Sequence, residues 1–225
     1  MADRQIVACG GAHYESDPLW RYLLDLTGKE RPRVCLLPTA SADRDDFILP
    51  FYERLADRAE LSYVGLFRRK VVDLRAYLLG QDVIFVSGGN TASMLAVWRV
   101  HGVDTIIREA WEAGIVLAGT SAGGLCWFED GVTDSFAELG PLGGGLGFLP
   151  GSFCPHYDSE PGREPAYREL VGSGRLPAGY AADDMVALRF VGGELAEIVS
   201  GRAEARAFRV EPDGAEALET RLLPA

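Results

Sequence analysis

Residues 115–124 read Ile-Val-Leu-Ala-Gly-Thr-Ser-Ala-Gly-Gly, an apolar run that ends in a glycine-rich turn. A run this continuous in apolar residues is typical of a parallel strand that is covered on both faces. Four similar runs also end in turn residues, at 6–11, 34–39, 62–67 and 83–89. Segments with helical spacing of apolar residues separate them. The alternation predicts a doubly wound α/β fold, with a mostly parallel sheet and helices on both faces.

The remaining elements are predicted from periodicity and turn residues. Residue 91 can cap a helix that residue 102 would end, and 124–128 is compatible with a short helix. Further along, short strands are predicted at 185–190, 194–200 and 205–210, and we expect them to extend the sheet antiparallel at one edge. No linker, repeat or low-complexity stretch is present, so we treat the whole chain, 1–225, as one domain.

The composition excludes several classes of protein. Acidic residues outnumber basic ones by 33 to 22, so the net charge of the 225-residue chain is −11. This argues against general binding to nucleic acids or anionic membranes, because both depend on clustered Lys and Arg. A hydrophobic share of 48% excludes a disordered chain. Glycine is in excess, with 27 residues against a usual share of about 7%, but it has no collagen-like period.

No segment indicates secretion, a membrane span, a metal site or a cofactor. The first apolar run is too short for a signal peptide or a transmembrane helix. Cys9, Cys35, Cys126 and Cys154 lack metal-ligand spacing, and we expect reduced, buried thiols in a cytoplasmic protein. The strand-end turns do not match the dinucleotide pattern G-x-G-x-x-G, and the chain has no Walker A sequence.

Three glycine-bearing turns follow predicted strands, at 10–11, 88–90 and 119–124. Ligands of open α/β sheets bind outside the carboxyl ends of the strands, so all three turns should face the site. The third turn fits G-x-S-x-G between a strand and a helix, which would expose Ser121 as a nucleophile on a strained bend. The backbone N–H of Ala122 would bind the developing oxyanion, and the turn at 88–90 is the best source of a second donor.

Histidine is the natural general base for such a serine, and the chain has three. His156, downstream of the serine after a short apolar run, is the preferred base. His13 lies past the first strand at the correct edge of the sheet and stays an alternative. His101 ends a predicted helix, where a histidine commonly binds the last carbonyls.

The orienting acid is Asp134 or, as second choice, Asp158, which lies two residues past His156. Other carboxylates nearby in sequence belong to Glu129, Asp130, Glu138 and Glu160. Each could instead be a solvated surface group, which is the default for carboxylates.

Four motifs follow one another along the chain. They are Ser-Gly-Gly-Asn-Thr at 87–91, Gly-Thr-Ser-Ala-Gly-Gly at 119–124, Thr-Asp-Ser at 133–135 and Cys-Pro-His-Tyr-Asp-Ser-Glu-Pro at 154–161. Together they resemble the peptidase E family of serine peptidases, family S51, which also contains cyanophycinases. The resemblance covers about residues 5–200 and implies a fold like that of class I glutamine amidotransferases.

The resemblance also implies roles for individual residues. It implies Ser121 as nucleophile, His156 as general base and Asp134 as acid, with an oxyanion hole formed by the backbone of Gly89 and Ala122. Peptidase E cleaves dipeptides with an N-terminal aspartate, so the expected partner is a small peptide, without nucleic acid, membrane or cofactor. A homodimer is left open.

An aspartyl substrate would bring a carboxylate into a protein of net charge −11, so a local cation is expected. Arg163 could pair with that carboxylate, and Asn90 is predicted to bind substrate as well. Alternatively, Arg163 is a surface residue that balances Glu160 and Glu164.

Three alternative functions stay open. The first is a hydrolase of the same fold that acts on another substrate, such as a cyanophycin-like isopeptide. The second is a ligand-binding module without catalysis. The third is an amidotransferase-type hydrolase, against which Ser121 counts, because those enzymes normally carry cysteine at this position.

Overall fold

The protein is described by a computed structural model that covers residues 3–224. Its strands are β1 (Gln5–Cys9), β2 (Arg33–Leu37), β3 (Glu60–Tyr63), β4 (Val83–Val86), β5 (Val116–Thr120), β6 (Phe128–Thr133), β7 (Gly140–Pro141), β8 (Leu149–Cys154), β9 (Gly179–Ala182), β10 (Val186–Val191), β11 (Glu194–Ser200), β12 (Ala207–Glu211), β13 (Gly214–Leu218) and β14 (Arg221–Leu222). Its helices are α1 (Asp17–Asp25), α2 (Asp45–Leu55), α3 (Leu74–Leu79), α4 (Thr91–His101), α5 (Val103–Glu112), α6 (Ala122–Leu125) and α7 (Arg163–Gly172). Within this range no helix has the length and hydrophobicity needed to cross a membrane.

The larger sheet has eight strands in the order β14-β11-β10-β1-β5-β4-β2-β3. The five strands from β1 to β3 in this order run parallel to one another. β10 lies antiparallel beside β1, and β11 lies antiparallel beside β10, so these two strands extend the sheet as predicted. The strand predicted at 62–67 is shifted, since β3 ends at Tyr63.

Both faces of this sheet are buried under helices. In β1, Ile6 and Ala8 pack into the hydrophobic core under α3, α4 and α5, whereas Val7 and Cys9 pack into the core under α1 and α2. Successive side chains of a strand point to opposite faces, which explains why the strand sequences are apolar without interruption. The predicted doubly wound α/β class is confirmed.

A second sheet, which the sequence did not predict, has six strands in the order β13-β12-β9-β8-β6-β7. The segment at 205–210 was expected at the edge of the larger sheet, but β12 pairs with β9 of this second sheet. The helix expected at 124–128 is also wrong, because α6 ends at Leu125 and Phe128 begins β6. Phe128 stacks on Phe153 of β8 with ring centroids 5.0 Å apart, and this buried pair holds the chain in the second sheet.

The two sheets share one hydrophobic core. The cluster under α3, α4 and α5 continues through Phe128 and Phe153 of the smaller sheet to Phe190 of the larger one. A further cluster packs α7 against the smaller sheet. The assignment of residues 1–225 to one domain stays a prediction.

Parallel strands of both sheets end at one common edge of the molecule. The three glycine-bearing turns lie at this edge and follow β1, β4 and β5 of the larger sheet. Beside them lie the ends of β8 and β9 of the smaller sheet. The N–H of His156 donates to the carbonyl of Gly10 at 3.3 Å, and that of Tyr157 donates to the carbonyl of Ala182 at 3.1 Å. This edge is where an α/β fold places its ligand site.

Candidate active site

Ser121 lies on a sharp turn between β5 and α6. Its backbone angles are φ 54° and ψ −115°, a region that costs a non-glycine residue about 1–3 kcal/mol. Hydrogen bonds hold the turn in place, since the Ser121 N–H donates to the Cys9 carbonyl at 3.1 Å and the Ser121 carbonyl accepts from Leu125 at 2.8 Å. The turn therefore has the strained form that a nucleophilic serine requires.

Two backbone N–H groups that the sequence analysis predicted as oxyanion donors make no hydrogen bond to another described residue. The N–H groups of Gly89 and Ala122 have no acceptor in the part of the chain that the structure describes. Gly89 has φ 135°, and a Cβ there would collide with the Ala40 carbonyl. Only glycine therefore fits this turn, which lies beside Ser121 in the cavity.

His156 and Asp184 form a pair at the ends of β8 and β9. Asp184 Oδ1 lies 2.7 Å from His156 Nδ1, and the side chains are 18% and 23% exposed. The strands are parallel neighbours, with Cys154 opposite Ala181, so the residues that follow them emerge side by side. A Cβ at Gly11 would overlap both the His156 ring and the Asp184 carboxylate, so the second residue of the first glycine turn makes room for this pair.

The environment of Asp184 favours its ionised form. Burial alone would raise the pKa of this carboxyl group, but hydrogen bonds from His156 and Ser159 and the positive charges of His156 and Arg202 outweigh burial and lower it. Asp158 helps to hold Asp184 in position. Its Oδ1 accepts the Asp184 backbone N–H at 2.9 Å, and its Oδ2 binds Arg202.

The position beside His156 Nδ1 is thus held by Asp184, and not by Asp134 or Asp158 as the sequence suggested. The Asp134 carboxylate is 63% exposed and lies 3.7 Å from Arg163. Asp158 contacts the backbone of Asp184 and not the imidazole. A signal for Asp184 did exist in the sequence, because Asp183-Asp184 directly follows the apolar run that forms β9.

Arg163 is a buried cation at the site, with a side chain that is only 4% exposed. Its Nε donates to Glu160 Oε2 at 2.6 Å, and its Nη1 donates to the Val132 carbonyl at 3.0 Å. The alternative interpretation of Arg163 as a surface residue was wrong about burial, although the pairing with Glu160 exists. Glu164 pairs instead with Arg168.

Asn90 lines the site, but its side chain already has structural partners. Its Oδ1 accepts the Ser93 N–H at 2.8 Å and so caps α4, a role that the sequence assigned to Thr91. Its Nδ2 donates to the Ser135 carbonyl at 3.1 Å. Asn90 therefore connects α4 to the loop that carries Asp134.

The other two histidines lie elsewhere. His13 is buried, with Nδ1 3.1 Å from Cys9 Sγ, and burial lowers its pKa from 6.5 to about 3. It is therefore neutral at ordinary pH and packs edge-on against Trp20 at 4.4 Å. His101 ends α4, as predicted, with Gly102 as the C-cap.

Ser121, His156 and Arg163 line one cavity of about 420 Å³, a volume in the range of small-molecule sites. Its lining includes the residues Ala12, Tyr14, Phe47, Gly88, Gly89, Asn90, Thr120, Ser121, Asp134, His156, Glu160 and Arg163. Among the described residues, no hydrogen bond joins Ser121 Oγ to His156. Such bonds often form only when substrate is present.

The sequence matches a known peptidase family. The family model described as peptidase family S51 matches residues 6–198. The chain is 46% identical over 212 residues to the uncharacterized peptidase YgaJ of Bacillus subtilis (strain 168), with 92% of each chain covered.

Two solved structures share the fold. A peptidase E protein from Listeria monocytogenes EGD-e superposes with a TM-score of 0.66 at 19% identity, over 93% of this chain and 100% of that one. A peptidase from an acI-B1 Actinobacterium superposes with a TM-score of 0.70 at 18% identity, over 96% and 94%. The match of the family model over most of the sequence, together with the 46% identical peptidase, shows that this chain belongs to peptidase family S51.

Proposed function

We propose that this protein is a serine peptidase that uses Ser121, His156 and Asp184 as its catalytic triad. The observation that carries the proposal is the 2.7 Å contact between Asp184 Oδ1 and His156 Nδ1, made by a histidine that lines the same cavity as Ser121. An acid at Nδ1 holds the imidazole so that Nε2, which lies 3.9 Å from Glu160 Oε1, can accept a proton.

The proposed reaction is acyl transfer in two steps. His156 Nε2 takes the proton of the Ser121 hydroxyl as Oγ attacks the peptide carbonyl, and the N–H groups of Gly89 and Ala122 bind the oxyanion. The C–N bond then breaks, and the imidazolium protonates the leaving amine. Water hydrolyses the acyl-enzyme ester by the same route in reverse and regenerates Ser121.

The proposed substrate is a dipeptide with an N-terminal aspartate. Arg163 supports this choice, because it brings a buried positive charge into a cavity of an otherwise acidic protein. Glu160 and Asp134 flank the arginine and suit the substrate's free α-amino group. The cavity volume also favours a small peptide over a polymer segment.

Replacement of Ser121 by alanine tests the reaction. We expect Ser121→Ala to abolish hydrolysis of Asp-Leu and Asp-p-nitroanilide while the melting temperature stays near that of the wild type. The exposed residue Ser173, at the end of α7, offers a matched control as Ser173→Ala. Retained turnover in Ser121→Ala would contradict the proposal.

The role of Arg163 is tested separately with Arg163→Gln, which keeps a polar side chain but removes the charge. We expect kcat/KM for Asp-Leu to fall by about tenfold or more, since hydrogen bonds to charged groups contribute about 1.5–3 kcal/mol. Hydrolysis of Ala-Leu, which has no side-chain carboxylate, serves as the comparison. An equal fall for both peptides would exclude Arg163 as the residue that selects aspartate.

A further inference from the structure

Two residues that line the active-site cavity carry hydroxyl groups without a hydrogen-bond partner among the described residues. Tyr14 and Thr120 both line the cavity. The phenol oxygen of Tyr14 and Oγ1 of Thr120 are shielded from solvent, and neither forms a hydrogen bond within residues 3–224. A shielded hydroxyl without a partner lowers stability, so its retention at a binding cavity points to a partner that comes with the ligand.

The two hydroxyl groups belong to the same face of the larger sheet. The Tyr14 ring lies 5.6 Å from Phe85 of β4 and 5.9 Å from Trp20 of α1. Ala118 of β5 packs into the same cluster as Phe85. Thr120 follows Ala118 by two positions in the strand, so its side chain points to this face as well.

Both side chains are neutral hydrogen-bond donors. Burial raises the pKa of the Tyr14 phenol, which therefore keeps its proton at neutral pH, and a threonine hydroxyl does not ionise. Arg163, at the start of α7, also lines the cavity, but it makes no hydrogen bond to either hydroxyl group among the described residues.

We propose that Tyr14 and Thr120 form a hydroxyl subsite that binds a carboxylate of the peptide substrate through two O–H donors. This inference rests on the proposed function, because an aspartyl dipeptide carries two carboxylates and the cavity lining offers a single arginine. Both the C-terminal carboxylate and the aspartate side chain have the chemistry required. The experiment therefore has one arm for each.

The test measures binding to the Ser121→Ala protein by calorimetry, which does not depend on turnover. The ligands are Asp-Leu, Asp-Leu-amide, which lacks the terminal carboxylate, and Asn-Leu, which lacks the side-chain carboxylate. Tyr14→Phe and Thr120→Val each remove one hydroxyl, and Thr120→Ser retains it. Tyr22→Phe is the matched control, because its hydroxyl donates to Glu197 at 2.8 Å outside the cavity.

We expect Tyr14→Phe and Thr120→Val each to weaken Asp-Leu binding by about 10- to 100-fold, the usual range for a hydrogen bond to a charged group. Thr120→Ser and Tyr22→Phe should stay within about threefold of their parent. If the preference for Asp-Leu over its amide shrinks, the subsite binds the terminal carboxylate. If the preference over Asn-Leu shrinks, it binds the side chain.

Unchanged preferences in both arms, or no detectable binding of any of the three peptides, would overturn the subsite. The proposed function is judged by a different result, namely whether the protein with an intact Ser121 hydrolyses Asp-Leu. A protein that cleaves Asp-Leu but shows unchanged preferences would keep its function and lose the subsite. A protein that binds selectively without cleavage would lose the function and keep the subsite.

Discussion

Asparagine at position 184 would keep the shape of the aspartate while removing its charge and one of its acceptor oxygens. In the wild type, Asp184 Oδ1 accepts the N–H of His156 Nδ1 at 2.7 Å. An asparagine can instead turn its NH₂ group toward Nδ1, which favours the imidazole tautomer with its proton on Nε2. That tautomer cannot accept the proton of Ser121.

The size of the effect follows from the geometry of the pair. The charge centres of an imidazolium and a carboxylate in this contact lie about 4 Å apart, and at an effective dielectric constant of about 20 their attraction is about 4 kcal/mol. Losing this stabilisation of the transition state lowers the rate by about 10³-fold. The unfavourable tautomer adds to the loss, so we expect kcat of Asp184→Asn to fall by about 10³–10⁴-fold.

The matched comparison is Asp134→Asn, at the position that the sequence favoured for the acid. The Asp134 carboxylate is 63% exposed and lies 3.7 Å from Arg163, and exposed pairs contribute about 0–1 kcal/mol. We therefore expect its kcat to stay within about tenfold of the wild type. Steady-state hydrolysis of Asp-p-nitroanilide gives both constants, and thermal melting followed by circular dichroism shows whether each variant is folded.

Two results would refute this reasoning. One is a folded Asp184→Asn protein whose kcat lies within tenfold of the wild type. The other is an Asp134→Asn protein with a loss as large as that expected for Asp184→Asn, because the acid would then not be the residue that contacts His156.

Three further predictions concern the surroundings of the site. Gly11→Ala should lower kcat by about 10²-fold with little change in melting temperature, because the new Cβ displaces the side chains of His156 and Asp184 and not the backbone. Unfolding of the variant would contradict this. Asp158→Asn should lower kcat by about tenfold with little change in KM, since it weakens the support of Asp184; a loss as large as that of Asp184→Asn would point to a direct role. Because burial lowers the pKa of His13 from 6.5 to about 3, protons bind the unfolded chain more tightly, and stability should fall as pH drops below 6.5. Urea unfolding should show a loss of about 2 kcal/mol from this residue at pH 5, which His13→Phe should remove.

The parts of the molecule that depend on short stretches of chain were predictable. The strands β1, β2, β4 and β5 are buried on both faces, so their sequences are continuous apolar runs, and the turn at Ser121 is defined by five consecutive residues. Residue spacing and the family resemblance likewise singled out His156, and the structure brings it to the cavity that Ser121 lines.

The acid and the second sheet depend on contacts between distant segments. Asp184 meets His156 only because β8 and β9 pair in parallel, and the intervening residues form α7 and its loops. Two adjacent acids follow β9 and have different surroundings, since Asp183 is buried and accepts the Arg206 N–H at 2.8 Å. Nothing in the local sequence distinguishes them.

The division of the proposed triad between two sheets has a consequence for how the protein would lose its activity. The serine and the oxyanion donors belong to the larger sheet, whereas His156 and Asp184 follow strands of the smaller one. The contact at Gly10 and Gly11 holds the two halves in register. A slight separation of the sheets would disconnect proton transfer from the nucleophile while most of the hydrophobic core stayed intact. Inactivation would then precede global unfolding. The shelf life and working temperature of the enzyme would be set by the contact between the two sheets, and not by the stability of the hydrophobic core.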